Sequence, residues 1–173
     1  MFKVIILLFS FLLTFSLVYK ENDEKYFSIA TQMLKKYNPP KKDFVVVIDY
    51  QKNLFSKRLY LLDMKNKKII LNCQVAHAYE SGLLYATKFS NKPQSEKSSY
   101  GAFITRNSRP GKYGYSMVID GLDKGINDNV KTRAIIFHPT TVSYSKGCFA
   151  TSKENNKKII DYTKEGSLVY VIK

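Results

Sequence analysis

The sequence predicts a mainly β domain, on three observations. Short apolar runs rich in Val, Ile, Tyr and Phe recur along the chain after Asp43. Clusters of Asn, Asp, Gly, Pro, Ser and Lys separate them, as turns require. Apolar residues at helical spacing are confined to two segments, one ahead of the strands and one just before the last of them.

In chain order, residues 1–18 read "MFKVIILLFSFLLTFSLV", one lysine followed by an apolar run. This is the pattern of a secretory signal peptide, or of an uncleaved anchor if it is retained. The apolar core, Val4 to Val18, falls short of the roughly twenty residues of a spanning helix. An exported protein of the periplasm or cell envelope is expected, with membrane anchoring only if the segment stays. Residues 19–42 follow as an N-terminal helix and linker. In "ENDEKYFSIATQMLKKY", Tyr26, Ile29, Ala30, Met33, Leu34 and Tyr37 fall on one helical face, with acids early and lysines late as the helix dipole prefers. "NPPKKD" ends the helix.

Residues 43–173 form the main domain. "FVVVIDY", "NLFSKRLYLLDM" and "KKIILNCQVAHAY" read as a three-stranded meander. "ESGLLYATKFSNKPQSEKSSY" reads as a long surface loop, the kind that borders a site. "GAFITRNS" and "YGYSMVIDGL" flank the turn "RPGKYG", and "TRAIIFH" is a further strand ending on His138. A short helix over "SKENNKKIIDYTKEG", capped by Ser152 and stopped by Gly166, precedes the closing strand "SLVYVI". About seven strands are expected, in one domain able to bury its own core.

The net charge is +14. Nucleic acid is not the expected partner, because the lysines are scattered, no nucleic-acid motif is present and the first segment directs the chain outward. A solvated basic surface accounts for the charge, and an anionic cell envelope is its natural partner. A monomer is expected. The two cysteines differ in setting: Cys73 lies in an apolar run, whereas Cys148 lies in "YSKGCFAT" beside Lys146. A disulfide between them is an open alternative in an exported protein. With no Cys-x-x-Cys or His-x-x-x-His spacing, neither a metal nor a cofactor is expected.

His138 and Cys148 form the constellation of interest. A thiol becomes a nucleophile when a base takes its proton and nearby positive charge stabilises the thiolate. His138 ends a strand, and a loop of nine residues brings the chain to Cys148. Gly147 permits a sharp turn, and the N–H groups of Gly147, Cys148 and Phe149 are candidate oxyanion donors.

The strand pattern, together with "GYSMVIDGLDKGINDN", "TRAIIFHP" and "SKGCFA" in that order, resembles the L,D-transpeptidase (YkuD-like) catalytic domain, in the murein L,D-transpeptidase branch, over residues 43 to 172. The resemblance implies a β-sandwich and acyl transfer on peptidoglycan stem peptides. Cys148 would be the nucleophile and His138 the base, with Ser145 ordering the loop as in the family's Ser-x-Gly-Cys motif. Transfer to an amine gives a three-to-three crosslink; transfer to water gives carboxypeptidase activity. His77 follows a strand at the cleft border, either for substrate contact or as a structural imidazole. Arg133, Asn127 and Asp128 either hold a stem carboxylate or stabilise their loops, and Tyr100 either touches substrate or packs. Pro139 stands where the superfamily usually has Gly, and Ala150 where it usually has Arg. A proline lacks an N–H and fixes φ, so a re-aimed His138 loop, and with it a non-catalytic wall-binding module, is the alternative.

Overall fold

The computed structural model describes residues 23–173. The expected signal or anchor over 1–18 lies outside the described residues, as do the first residues of the 19–42 segment. Among the described residues no helix is long and apolar enough to cross a membrane.

Helix α1 covers residues 23–37. Asn38, at φ 45°, ends it by donating its N–H to the Leu34 carbonyl, a left-handed cap that asparagine tolerates. Tyr26 and Ala30 of α1 are buried, with Met33, Leu34 and Tyr37 packed beside them as the helical spacing predicts. Phe27, outside the expected stripe, joins them.

The strands are β1 (Lys41–Asp49), β2 (Leu59–Asp63), β3 (Lys68–Cys73), β4 (His77–Ala78), β5 (Gly101–Gly111), β6 (Gly114–Gly121), β7 (Ile136–Pro139), β8 (Tyr144–Ser145), β9 (Phe149–Thr151) and β10 (Ser167–Ile172), with helix α2 (Lys153–Thr163) before the last. Eight of them form one sheet in the order β3-β2-β1-β10-β5-β6-β7-β9, while β4 and β8 pair separately. The expected meander is β1–β2–β3, and the expected hairpin is β5–β6. The closing strand does not sit at an edge: β10 inserts between β1, parallel, and β5, antiparallel.

Strand β1 is buried on both faces, which is why "VVVI" reads as a continuous apolar run instead of alternating. Val45 and Val47 meet α1, while Val46 and Ile48 enter the larger core. That core also takes Leu59 and Leu61 from one end of the sheet and Met117, Phe137 and Phe149 from the other. The sheet therefore folds over on itself, giving the two facing layers of a sandwich. The Ala76 N–H donates to the Ala150 carbonyl at 2.8 Å, joining the segment after β3 to β9. This closure puts β9, and Cys148 just ahead of it, over the middle of the domain. Helix α2 begins as expected, with the Ser152 hydroxyl accepting from the Asn155 N–H.

The sequence reading differs in several places, among them β7, where residues 132–134 of the expected strand are a turn, and β5, which runs on to Gly111 through part of the expected turn. Residues 53–58 are turns, not the start of β2, and the run through Cys73 breaks before β4. Strands β8 and β9 were not expected; they are two and three residues long, too short for a period to register.

Candidate active site

The pairing of β7 with β9 decides which way the two chemical side chains face. Phe137 lies opposite Phe149 in parallel register, and both rings enter the core, 5.1 Å apart. Side chains alternate along a strand, so His138 and Cys148, their chain neighbours, face the other side. Strand spacing and rise put the two backbones about 8 Å apart, within the combined reach of an imidazole and a thiol.

Gly147 and Ser145 shape the approach to Cys148. Gly147 has φ +118°, and an added Cβ would lie 2.8 Å from Ile135 Cδ1, 3.1 Å from the Lys97 carbonyl oxygen and 3.2 Å from Arg133 Nη2. The Ser145 hydroxyl donates to the Cys148 carbonyl at 2.8 Å and accepts the Gly147 N–H at 3.1 Å. The hydroxyl thus orders the loop, and Gly147's N–H is already used. Phe149, in the ladder with β7, turns its N–H toward that strand, which leaves the Cys148 N–H as the candidate oxyanion donor. Gly147→Ala is expected to cost about 1–3 kcal/mol of stability through backbone strain, and to lower activity by more than a surface substitution does; urea unfolding alongside an activity assay checks both.

The imidazole of His138 is oriented by its own chain. Its Nδ1 lies 2.8 Å from the Pro139 carbonyl oxygen, an acceptor, so Nδ1 carries the proton and Nε2 keeps its lone pair. Tyr113 stacks on the ring at 4.6 Å. Strand β7 runs through Pro139, which pairs in register with Thr151, and the proline ring rests against Gly114.

The Cys148 thiol is half-buried and lies 3.7 Å from the Ala134 carbonyl. Burial pushes its pKa up, while the Ile136 backbone amide and the Arg133 guanidinium pull it down. The cation facing the thiol is therefore Arg133. Lys146, the neighbour that the sequence singles out, is exposed and pairs with Glu96 at 2.6 Å. Arg133 is held where it is by the long loop: Nη1 donates to the Ser90 carbonyl and the Ser99 hydroxyl, and Nη2 to the Lys97 carbonyl.

The other expected site residues are placed as follows. Asn127 is buried, its Nδ2 donating to the Tyr100 and Ala102 carbonyls and its Oδ1 accepting the Asp123 N–H. It pins its loop to β5 and has no polar atom left for a ligand. Asp128 bonds Asn91 and so ties the same loop to the 80–100 loop. Tyr100 packs edge-on against Phe89, with Lys173 over its ring. His77 is fully buried: Nδ1 accepts from Arg58 Nη2 at 2.9 Å, and Nε2 lies 2.7 Å from the Gly82 carbonyl, to which its N–H donates. Burial lowers its pKa, and the nearby Arg58 lowers it further. It is a neutral structural imidazole.

Sequence reasoning missed Arg58, which is fully buried. Its guanidinium donates twice to the Val75 carbonyl and once to that of Lys52, and lies over the Tyr50 ring at 4.9 Å. One of two adjacent basic residues in "FSKRLYL", Arg58 gives no signal for this.

The disulfide alternative is corrected by the structure, in which Cys73 and Cys148 are both free. Burial pushes the Cys73 thiol up to about 12 from its ordinary 9.0. A neutral thiol reagent should therefore titrate one cysteine in the native protein and two after denaturation. The unfolded chain ionises Cys73 first, so native stability should fall as pH rises from 9.0 toward about 12. Among the described residues no group of three or more His, Cys, Asp or Glu is placed to hold a metal.

Residues 19–172 match the family described as L,D-transpeptidase catalytic domain, a span that includes α1. No curated protein matches the chain. Among solved structures, the chain is similar to a fused Zn-dependent amidase/peptidase/peptidoglycan-binding domain-containing protein from Clostridium acetobutylicum, at 16% identity and TM-score 0.50, over 87% of this chain and 62% of that one. It is also similar to an L,D-transpeptidase from Mycobacterium smegmatis, at 12% identity and TM-score 0.48, over 76% and 59%. A third is the Enterococcus faecium L,D-transpeptidase, at 14% and 0.48, over 75% and 50%. The chain thus spans between half and two thirds of the length of these structures. At such identities the structural likeness supports the fold alone, and the sequence match carries the rest: this chain belongs to the L,D-transpeptidase catalytic domain family.

Proposed function

We propose that the protein is an exported cysteine acyltransferase of the cell envelope, acting on peptidoglycan stem peptides through a thioester on Cys148. One observation carries this reading: His138, its tautomer set by the Pro139 carbonyl, shares a face with a half-buried thiol that lies beside Arg133. That the strand continues through Pro139 favours a working site over a spoiled one.

In the first half-reaction the thiol leaves the Ala134 carbonyl and gives its proton to His138 Nε2. The sulfur attacks the carbonyl between the third residue and the terminal D-Ala of a tetrapeptide stem. The Cys148 N–H would receive the oxyanion. The C–N bond then breaks, and the imidazolium returns the proton to the departing amine. In the second half-reaction a side-chain amine of another stem, or water, attacks the thioester and restores the thiol.

Incubation with a disaccharide-tetrapeptide, followed by mass spectrometry, tests the reading. Release of D-Ala with a three-to-three dimer identifies a transpeptidase, and release with a tripeptide alone identifies a carboxypeptidase. Unchanged substrate in the presence of a free Cys148 thiol would sink the proposal.

A further inference from the structure

Several large apolar side chains stand out into solvent on one side of the molecule, among them Phe55, 70% exposed, and Leu83, 65% exposed. Tyr79, Leu84, Tyr85 and Val142 are exposed with them. They come from separate segments that are tied together. The Leu54 N–H donates to the Leu84 carbonyl at 2.9 Å, joining the loop after β1 to the segment after β4. The Tyr144 hydroxyl donates to the Leu83 carbonyl at 2.8 Å, and its ring meets Tyr79 edge-on at 5.4 Å. Phe55 and Val142 line one shared depression. The backbone beneath is fixed, because His77 donates to the Gly82 carbonyl and is itself held by buried Arg58. Among the described residues this is a firm platform whose apolar tips are largely left in solvent. A contiguous patch of this kind marks an interaction surface.

Two further observations say what covers it. The first is charge: Lys52 and Lys57 line a depression with Tyr85, and Lys153 lines one with Phe55, while the acids here are Asp23 and Glu80. In a chain of net charge +14, the groups bordering this apolar patch keep a small positive excess, three lysines to two acids. The second is where the chain enters the domain. Asp23, the first described residue, lies in the depression shared by Tyr85, Lys52 and Lys57. The apolar run from Val4 to Val18 ends only a few residues upstream.

We propose that this face, centred on Phe55, Leu83 and Tyr79, rests on an anionic lipid bilayer. The apolar tips enter the boundary between headgroups and acyl chains, and the lysines sit at the level of the phosphates. Such a surface satisfies apolar area and positive charge together, as interfacial binding does. Aliphatic tips mixed with tyrosines suit it, because a phenol is apolar along its ring and wet at its tip.

The chain has no tryptophan, so single reporters are clean. The full chain carrying Phe55→Trp, Leu83→Trp or, as a remote control on α2, Tyr162→Trp is mixed with vesicles of phosphatidylglycerol and brominated phosphatidylcholine. Emission from the first two reporters should shift to the blue and be quenched by the bromines, while the third stays unquenched. Vesicles of brominated phosphatidylcholine alone should quench the first two less. Vesicle-bound protein whose Phe55→Trp and Leu83→Trp emission is unquenched overturns the proposal, since residues 4–18 alone would then account for binding. Equal quenching with zwitterionic vesicles overturns its electrostatic half. A blue shift without vesicles, accompanied by a doubled mass in solution, would assign the patch to a second copy of the chain and also overturn it.

Discussion

Arg58→Met is expected to destabilise the domain by about 3–5 kcal/mol, although Arg58 lies outside the proposed catalytic pair. The substitution keeps much of the side-chain length but removes every donor. The Val75 carbonyl and His77 Nδ1 then lose their partners in places that water does not reach, and the part-buried Lys52 carbonyl loses its own. Each such orphaned group costs about 1–3 kcal/mol. The melting temperature should fall on the order of 10 °C. The damage should spread, because the imidazole that Arg58 holds supports the Gly82 turn and packs against Tyr144 of β8, four residues before Cys148. Urea unfolding of wild type and variant measures the first effect. A loss below about 1 kcal/mol, the worth of a single ordinary hydrogen bond, would contradict the account of Arg58 as a buried hub.

His138→Ala should slow acylation by about 10²–10⁴, the usual worth of a general base. Its pH profile is the more telling readout. Without the imidazole the thiol must ionise unaided, and burial holds the Cys148 thiol above its ordinary 9.0. The variant's rate should climb about tenfold per pH unit through neutrality and keep climbing past pH 9, since only the thiolate attacks. Strong alkali should therefore partly rescue the variant. Stopped-flow measurement of acylation across pH gives the slope directly. A variant rate that matches wild type, or that is flat with pH, would remove His138 as the base.

How much of this was legible in the sequence depended on the length of each element. Strands β1, β2, β3, β5, β6 and β10 carry runs of apolar residues long enough to show their burial, and α1 and α2 show their helical faces. Strands β8 and β9 hold too few residues for any period, and the sheet order, with β10 between β1 and β5, is a tertiary fact. At the site, the placements of His138, Gly147 and Cys148 were legible because each depends on local sequence: an imidazole near a strand end, a sharp turn, a thiol in a loop. Arg133 was legible as a residue but not in its orientation, since its three acceptors lie far along the chain in the 90–99 segment. Arg58 was not legible at all. Its burial depends on carbonyls that only the folded chain brings together, and the bonds that tie Asn127 to β5 are hidden from the sequence for the same reason.

The central claim is that Cys148 is an activated nucleophile and Cys73 an inert, buried thiol. Intact mass of the protein after incubation with a carbapenem, the β-lactam class expected from the family resemblance to acylate such a cysteine, tests it most directly. The account predicts a single adduct that peptide mapping places on Cys148, absent in Cys148→Ala and slow to form in His138→Ala. An adduct on Cys73, or none at all on a folded protein with both thiols free, would contradict it.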